Sequence, residues 1–288
     1  MDILFAWIAS IASGISPLVI KASSKSLVKN PWLFNLLWIA FGIPLVAALA
    51  LFMGGGMPKD WISVVLLSIS ASLFYTFYTV SLYKLDVTTI GPLFSLRTVF
   101  AVLLGIMVLQ ESISPVGLGL IVVVVLMSPF AAYNENLKLR AFFQKYMLLA
   151  VAAMVFLALD GYFTNISVAR NGYATTLLWQ DFLTLLVLLP TLKFVKSRGE
   201  EKLTVKKLFP FVLLGFTHFV YLATANLAYA HNLALSSVIV SLPLSMIFAY
   251  LLSRMYAKFL EEHSTKVYII RFSAAFIMVS CAIWLSLL

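Results

Sequence analysis

The chain has 288 residues, 62% of them hydrophobic and 11% charged, with a mean hydropathy of +1.04. Soluble domains run at ~45–50% apolar residues, and a single core cannot hide this much apolar surface, so most of the chain must face lipid. A lone cysteine, Cys281, and the lack of any low-complexity tract exclude disulfide-stapled, collagen-like and disordered chains, and the same composition argues against a soluble enzyme.

The net charge of +9 comes from 20 Lys and Arg against 11 Asp and Glu. These basic residues stand in short connections between apolar runs, with no interleaved aromatics. That pattern fits the positive loops of a membrane protein and argues against a nucleic-acid partner.

A helix needs about 20 mostly apolar residues to cross a bilayer core. Ten runs of that kind follow one another. The first, 3–20, has no basic segment ahead of it and is expected to remain as a span. Its Ser10/Gly14 and Ala12/Ser16 spacings suit close helix packing. The second, 31–52, carries Trp38, and the third, 61–83, carries Tyr75, Tyr78 and Tyr83. Arg97 falls about ten residues into the fourth, 88–109, and 115–133 is the fifth. Asp160 lies in the sixth, 145–165; Trp179, Gln180 and Asp181 lie in the seventh, 174–194. The eighth, 208–230, holds His218, Tyr221, Asn226 and Tyr229, and the last two are 236–253 and 267–286. Pro17, Pro44, Pro92 and Pro243 interrupt these runs and permit bending. Backbone groups in lipid must bond internally, and the alternation of a membrane barrel is missing, so the runs are read as helices.

Lys and Arg are shared very unequally between the connections. Lys21, Lys25, Lys29, Lys84, Lys138, Arg140, Lys145, Lys193, Lys196, Arg198, Lys202, Lys206, Lys207, Arg254, Lys258 and Lys266 lie in the odd-numbered loops; only Lys59 and Arg170 lie on the opposite side. The bias puts the odd loops in the cytoplasm and both termini outside.

The second half echoes the first. Leu36-Leu37-Trp38-Ile39-Ala40-Phe41 matches Leu177-Leu178-Trp179-Gln180-Asp181-Phe182 at an offset of 141. Tyr75 and Tyr83 match Tyr221 and Tyr229, and Ser95-Leu96 matches Ser241-Leu242, at an offset of 146. Five helices per unit is an odd number, so the copies must be inverted. The expected fold is an all-α membrane protein of ten transmembrane helices in two inverted five-helix repeats, residues 1–140 and 141–288.

The stretch from Ser95-Leu96-Arg97-Thr98 to Gly105, then Leu109-Gln110-Glu111 and Gly117-Leu118-Gly119-Leu120-Ile121, resembles the end of an EamA-type repeat of the drug/metabolite transporter superfamily. Ser241-Leu242-Pro243-Leu244 and Leu260-Glu261-Glu262 resemble its second copy. Three departures stand out. Gln110 takes the place of the family's glycine, Arg97 stands where proline is common, and Pro243 to Glu261 spans 18 residues against 14 from Arg97 to Glu111. Many family members also keep their termini in the cytoplasm, opposite to the charge bias here. The resemblance implies a secondary transporter of small metabolites, amino acids or drug-like solutes, more often an exporter, working by alternating access.

An ionisable residue inside a span is a functional candidate. Arg97 offers a fork for a substrate carboxylate or phosphate, or a structural salt bridge. Asp160 and Asp181 are read near the outer ends of their spans, where they could pair with Arg97, bind an amine, carry a coupling proton or simply meet water. Tyr75 and Tyr78 share a helix face, as do His218, Tyr221 and Tyr229. Tyr75 and Tyr221 suit a cavity for small amphipathic solutes, whereas an interfacial aromatic belt explains Tyr83 and Tyr229. Asn226 and Gln180 could line the cavity or bridge helices, and Trp38 with Trp179, at equivalent repeat positions, could act as paired gates.

His218, His231 and His263 lack metal-ligand spacing, and no Gly-x-x-x-x-Gly-Lys loop is present. The expected partners are therefore a small-molecule substrate and the lipid bilayer, with no cofactor and no metal; the sequence does not set the oligomeric state, and a monomer is compatible with it. Rival readings are a lipid-linked solute carrier or scramblase on the same fold, and a membrane-embedded enzyme using Asp160 and Asp181.

Overall fold

The computed structural model describes residues 2–26, 28–85, 93–131, 133, 145–196, 205–255 and 264–288. These residues form α1 (Asp2–Ser26), α2 (Pro31–Phe52), α3 (Trp61–Leu82), α4 (Phe94–Met107), α5 (Pro115–Ala131), α6 (Lys145–Asn171) and α7 (Tyr173–Leu188). After a 3₁₀ turn at Leu189–Thr191 come α8 (Leu192–Lys196), α9 (Val205–His231), α10 (Leu233–Val240), α11 (Leu244–Met255) and α12 (Thr265–Leu285). No strand occurs among the described residues. Among the described residues, seven helical stretches are long and apolar enough to cross a membrane, and the shorter apolar stretches are Leu96–Met107, Pro115–Ala131 and Leu233–Phe248. The protein is a multi-pass membrane protein, with large side chains such as Leu126, Phe216 and Phe276 turned outward.

Short polar and glycine signals cut the apolar chain into these rods. Asn30 accepts from the N–H groups of Trp32 and Leu33 at 2.9 and 3.3 Å, with Pro31 beginning α2. Gly172, at φ +81°, makes a one-residue corner between α6 and α7. Pro17 and Pro44 lie inside unbroken α1 and α2, so they do not divide those helices. The ninth run is not one rod. It starts at Leu233 and breaks at Ser241-Leu242-Pro243, because Pro243 cannot donate to the ladder. Pro92, the second Leu-Glu-Glu turn (260–262), His263 and much of the basic loop sequence lie outside the described residues.

Packing runs mostly between the two halves of the chain. Helix α3 lies on α6 and α7, α1 on α9, α10 and α11, and α2 on α7 and α9. Helix α4 lies on α6 and α10, and α5 on α12. Small residues set the closest approaches. A Cβ on Gly215 would stand 2.6 Å from the Phe41 carbonyl oxygen, and one on Gly14 would meet Phe248 at 3.0 Å. Hydroxyls also join helices: Ser68 and Ser72 donate to the carbonyls of Gln180 and Thr184 at 3.1 and 3.2 Å.

Helix ends gather on two opposite faces. On one, Trp7 Nε1 donates to Ser286 Oγ at 3.2 Å and Arg170 pairs with Asp60 at 2.7 Å. On the other, Lys21 Nζ donates to the Leu85 carbonyl at 3.0 Å and Tyr83 Oη to that of Val28 at 2.8 Å.

Asp60 caps α3 and also holds Arg170, while Asn171 bonds its backbone N–H and C=O at 2.7 and 3.1 Å. The hydrogen bond from Arg170 holds the Asp60 carboxyl below its ordinary range. A depressed carboxylate stabilises above its unfolded pKa and loses that contribution as pH falls through its folded value. Thermal unfolding between pH 7 and pH 3 is expected to show a loss below about pH 4 that is weaker in Asp60→Asn. An unchanged acid profile in that variant would refute the tie.

The turn after α4 explains one departure from the family pattern. Gln110 has φ +57°, a left-handed conformation in which a side chain is disfavoured and glycine is at ease. Relief of that strain outweighs the added freedom of the unfolded chain, so Gln110→Gly is expected to stabilise by about 0.5–1 kcal/mol. A drop in melting temperature for that variant would contradict this reading.

Candidate functional site

Two hydrogen-bonded chains of buried polar groups meet in the middle of the bundle. Gln180 and Asp181 are neighbours on α7, about 100° apart around the helix, so they reach different partners. Gln180 Nε2 donates to Asp160 Oδ1 on α6 at 3.4 Å, and Gln180 Oε1 accepts from Asn226 Nδ2 on α9 at 2.9 Å. Asp181 Oδ2 lies 2.8 Å from His218 Nε2 on α9. His218 Nδ1 is 3.3 Å from the Tyr75 hydroxyl on α3. Asp160, Asp181, His218, Gln180, Asn226 and Tyr75 are each at most 7% exposed. Seven or more residues of helix separate Asp160 and Asp181 from the ends of α6 and α7. Neither carboxylate is therefore at a wetted helix end, contrary to expectation.

Trp38 stands edge-on to Tyr75 and His218, with ring centroids 5.0 and 6.3 Å away. Gly42 makes that placement possible, since a Cβ there would lie 2.6 Å from His218 Cδ2. The buried indole N–H of Trp38 has no hydrogen-bond partner among the described residues.

Arg97 is 1% exposed and is the fourth residue of α4, shallower than the ten residues expected from the apolar run. Its guanidinium donates to the Tyr229 hydroxyl and lies 5.3 Å from the centre of that ring. Neither aspartate forms an ion pair with it among the described residues, although Arg97 interacts electrostatically with Asp160 and Tyr221. Its Nε is buried without a hydrogen-bond partner among the described residues. Next to it, Thr98 Oγ1 lies 2.5 Å from Ser241 Oγ, which ties α4 to the break between α10 and α11.

Asp160, Asp181, Gln180, Asn226, His218, Tyr75, Trp38 and Arg97 are thus brought together, with the half-buried Tyr221 electrostatically coupled to Asp160. Tyr78 is buried but stacks on Phe74 and meets Phe94 edge-on, apart from these hydrogen bonds. Trp179 does not pair with Trp38. It sits on the rim, donating to the Gly56 carbonyl at 2.8 Å and packing on Trp61. Tyr229 is 1% exposed and bonded to Arg97, so it belongs to the core and not to an interfacial belt. Its spacing on the His218–Tyr221 face was a signal that could have placed it there. Gly42 and Thr98 gave no such signal.

Residues 1–130 match the model of the EamA-like transporter family. A solved structure described as "Crystal structure of protein" superposes with a TM-score of 0.74 at 15% identity, covering 98% of this chain and 94% of its own. That likeness is one of fold. No curated protein matches the sequence.

Proposed function

We propose that this chain, an EamA-type membrane transporter of the drug/metabolite transporter superfamily, is a secondary-active exporter of small metabolites, amino acids or drug-like solutes. The observation that carries the reading is the buried network of Asp160, Gln180, Asn226, Asp181, His218 and Tyr75, with Arg97 beside it. Charged groups in a lipid-facing bundle are costly, and stability alone does not call for them. Arg97, Asp160, Tyr75, Tyr78, Tyr221, His218, Asn226, Trp38, Trp179 and Gln180 form the candidate substrate-binding set, with Asp160 and Asp181 as coupling groups. The network residues form its centre.

In this reading ten helices span the membrane as two inverted units, 1–140 and 141–288. The packing pattern supports it. Exchanging α1 with α6, α2 with α7, α3 with α9, α4 with α10 and α11, and α5 with α12 turns α3-on-α6 into α9-on-α1. It turns α2-on-α9 into α7-on-α3, and it leaves α2-on-α7, α4-on-α10 and α5-on-α12 as they are. The positive loops face the cytoplasm at the cell membrane, both termini lie outside, and the two units rock about the shared site.

The test compares solutes in medium and cytosol of cells expressing the wild type, Asp160→Asn and Arg97→Ala at matched membrane abundance. A solute class that leaves with the wild type and stays in with Asp160→Asn supports the reading. Equal export by all three would refute the site. Activity that depends on lipid and tolerates Arg97→Ala would favour a lipid carrier or scramblase.

A further inference from the structure

The indole N–H groups of this chain run against the usual rule. The partly exposed Trp7 and Trp179 donate to Ser286 Oγ at 3.2 Å and to the Gly56 carbonyl at 2.8 Å. Trp38 is only 4% exposed, yet its N–H meets no acceptor among the described residues. A buried tryptophan normally finds a partner, and a donor left without one carries its full desolvation cost. The indole is also held in place. Phe34, Tyr75 and His218 stand edge-on to it, with ring centroids 6.3, 5.0 and 6.3 Å away.

The polar groups beside Trp38 are already engaged with one another. His218 uses Nε2 for Asp181 and Nδ1 for the Tyr75 hydroxyl. Asp160 accepts from Gln180, whose own oxygen accepts from Asn226. Among the described residues no carboxylate or amide oxygen is buried without a partner, whereas Trp38 Nε1 and Arg97 Nε, which can only donate, are. The buried hydroxyls of Thr164, Thr184 and Ser237 lack one too, but a hydroxyl can turn to a carbonyl of its own helix. An indole cannot. The site thus has donors to spare, and what completes it has to bring an oxygen acceptor.

Resting on the transport reading, we propose that Trp38 determines specificity: its indole N–H donates to a carbonyl or carboxylate oxygen of the cargo and so selects solutes that carry one. A solute of the same shape without that oxygen leaves the donor unpaired and is bound more weakly. The role differs from that of a gate, which acts by bulk alone. Phenylalanine keeps an aromatic ring but has no N–H, so Trp38→Phe separates the two roles.

Full-length protein labelled with 15N-tryptophan, purified in detergent, is titrated with benzamide and, separately, with thiobenzamide. The second probe keeps the shape and replaces the carbonyl oxygen with a weakly accepting sulfur. The indole signal of Trp38 is identified by its loss in Trp38→Phe, and affinities come from calorimetry on the same samples. Benzamide is expected to move that signal downfield and to bind at least tenfold more tightly than thiobenzamide. In Trp38→Phe the preference should fall below about twofold. The wild-type preference is read without any variant, so it decides even if Trp38→Phe does not fold. No binding of benzamide, an unshifted Trp38 signal, equal affinity for the two probes, or a preference that survives in Trp38→Phe would each overturn the proposal. So would exchange of the Trp38 N–H with water as fast as that of Trp179, since water would then be its partner. Any of these outcomes with export still lost in Asp160→Asn would leave the transport reading standing, whereas normal export by Asp160→Asn would refute that reading instead.

Discussion

Asp181→Ala is expected to lower the stability of the protein by about 1–3 kcal/mol, the cost of leaving a buried hydrogen-bonding group without its partner. The variant leaves His218 Nε2 facing a hole where a carboxylate stood at 2.8 Å, in a site that is 2% exposed at both residues. Water cannot easily replace that partner, because Gly42 brings the α2 backbone against the ring on one side and Trp38 covers it on another. Asp181→Asn is expected to cost less, since an amide still hydrogen-bonds to the imidazole. Thermal unfolding in detergent at pH 7 separates the two. A loss below about 1 kcal/mol for Asp181→Ala would show that the pair is solvated and that the buried cluster does not exist as described.

Glu111→Ala is expected to cost about 3 kcal/mol, through loss of two charge-assisted hydrogen bonds at a helix start. Glu111 Oε1 accepts from the Leu233 N–H at 2.6 Å and Oε2 from the Ala234 N–H at 2.9 Å. A carboxylate from the α4–α5 turn thus covers the positive end of α10, which belongs to the other half of the chain. Glu111→Gln keeps one acceptor and should lose about half as much. Gly105→Ala should resemble Glu111→Ala, because a Cβ at Gly105 would occupy the place of the carboxylate itself. Matched unfolding curves test all three. If Glu111→Ala unfolds like the wild type, the tie between the halves carries no weight.

Both predictions rest on contacts between residues far apart in sequence, and this marks where sequence reading stopped. The Leu-Gln-Glu turn was legible as a family motif, but its partner was not, since Leu233 and Ala234 offer only backbone N–H groups. Arg97 stood out because a guanidinium in an apolar run is conspicuous. Its partner Tyr229 did not, because a tyrosine near a helix end suits a lipid interface equally well. Trp38 and Trp179 matched as repeat positions, yet one packs against His218 and the other lies on the rim. A sequence match between two stretches gives a place along a helix, while the neighbours that each residue meets are set by packing.

The sequence by itself determined that this is a helical, multi-pass membrane protein, where most of its helices lie, and which polar residues were out of place among them. Those properties are sums over short windows of side-chain hydropathy, and lipid enforces them on each helix separately. Tertiary structure alone decided that the ninth apolar run breaks at Ser241–Pro243, that Asp160 and Asp181 are buried, and that His218 joins Asp181 to Tyr75. The reason is geometric. A helix presents every direction in turn, and only close crossings, allowed by residues such as Gly42 and Gly215, select which side chains meet.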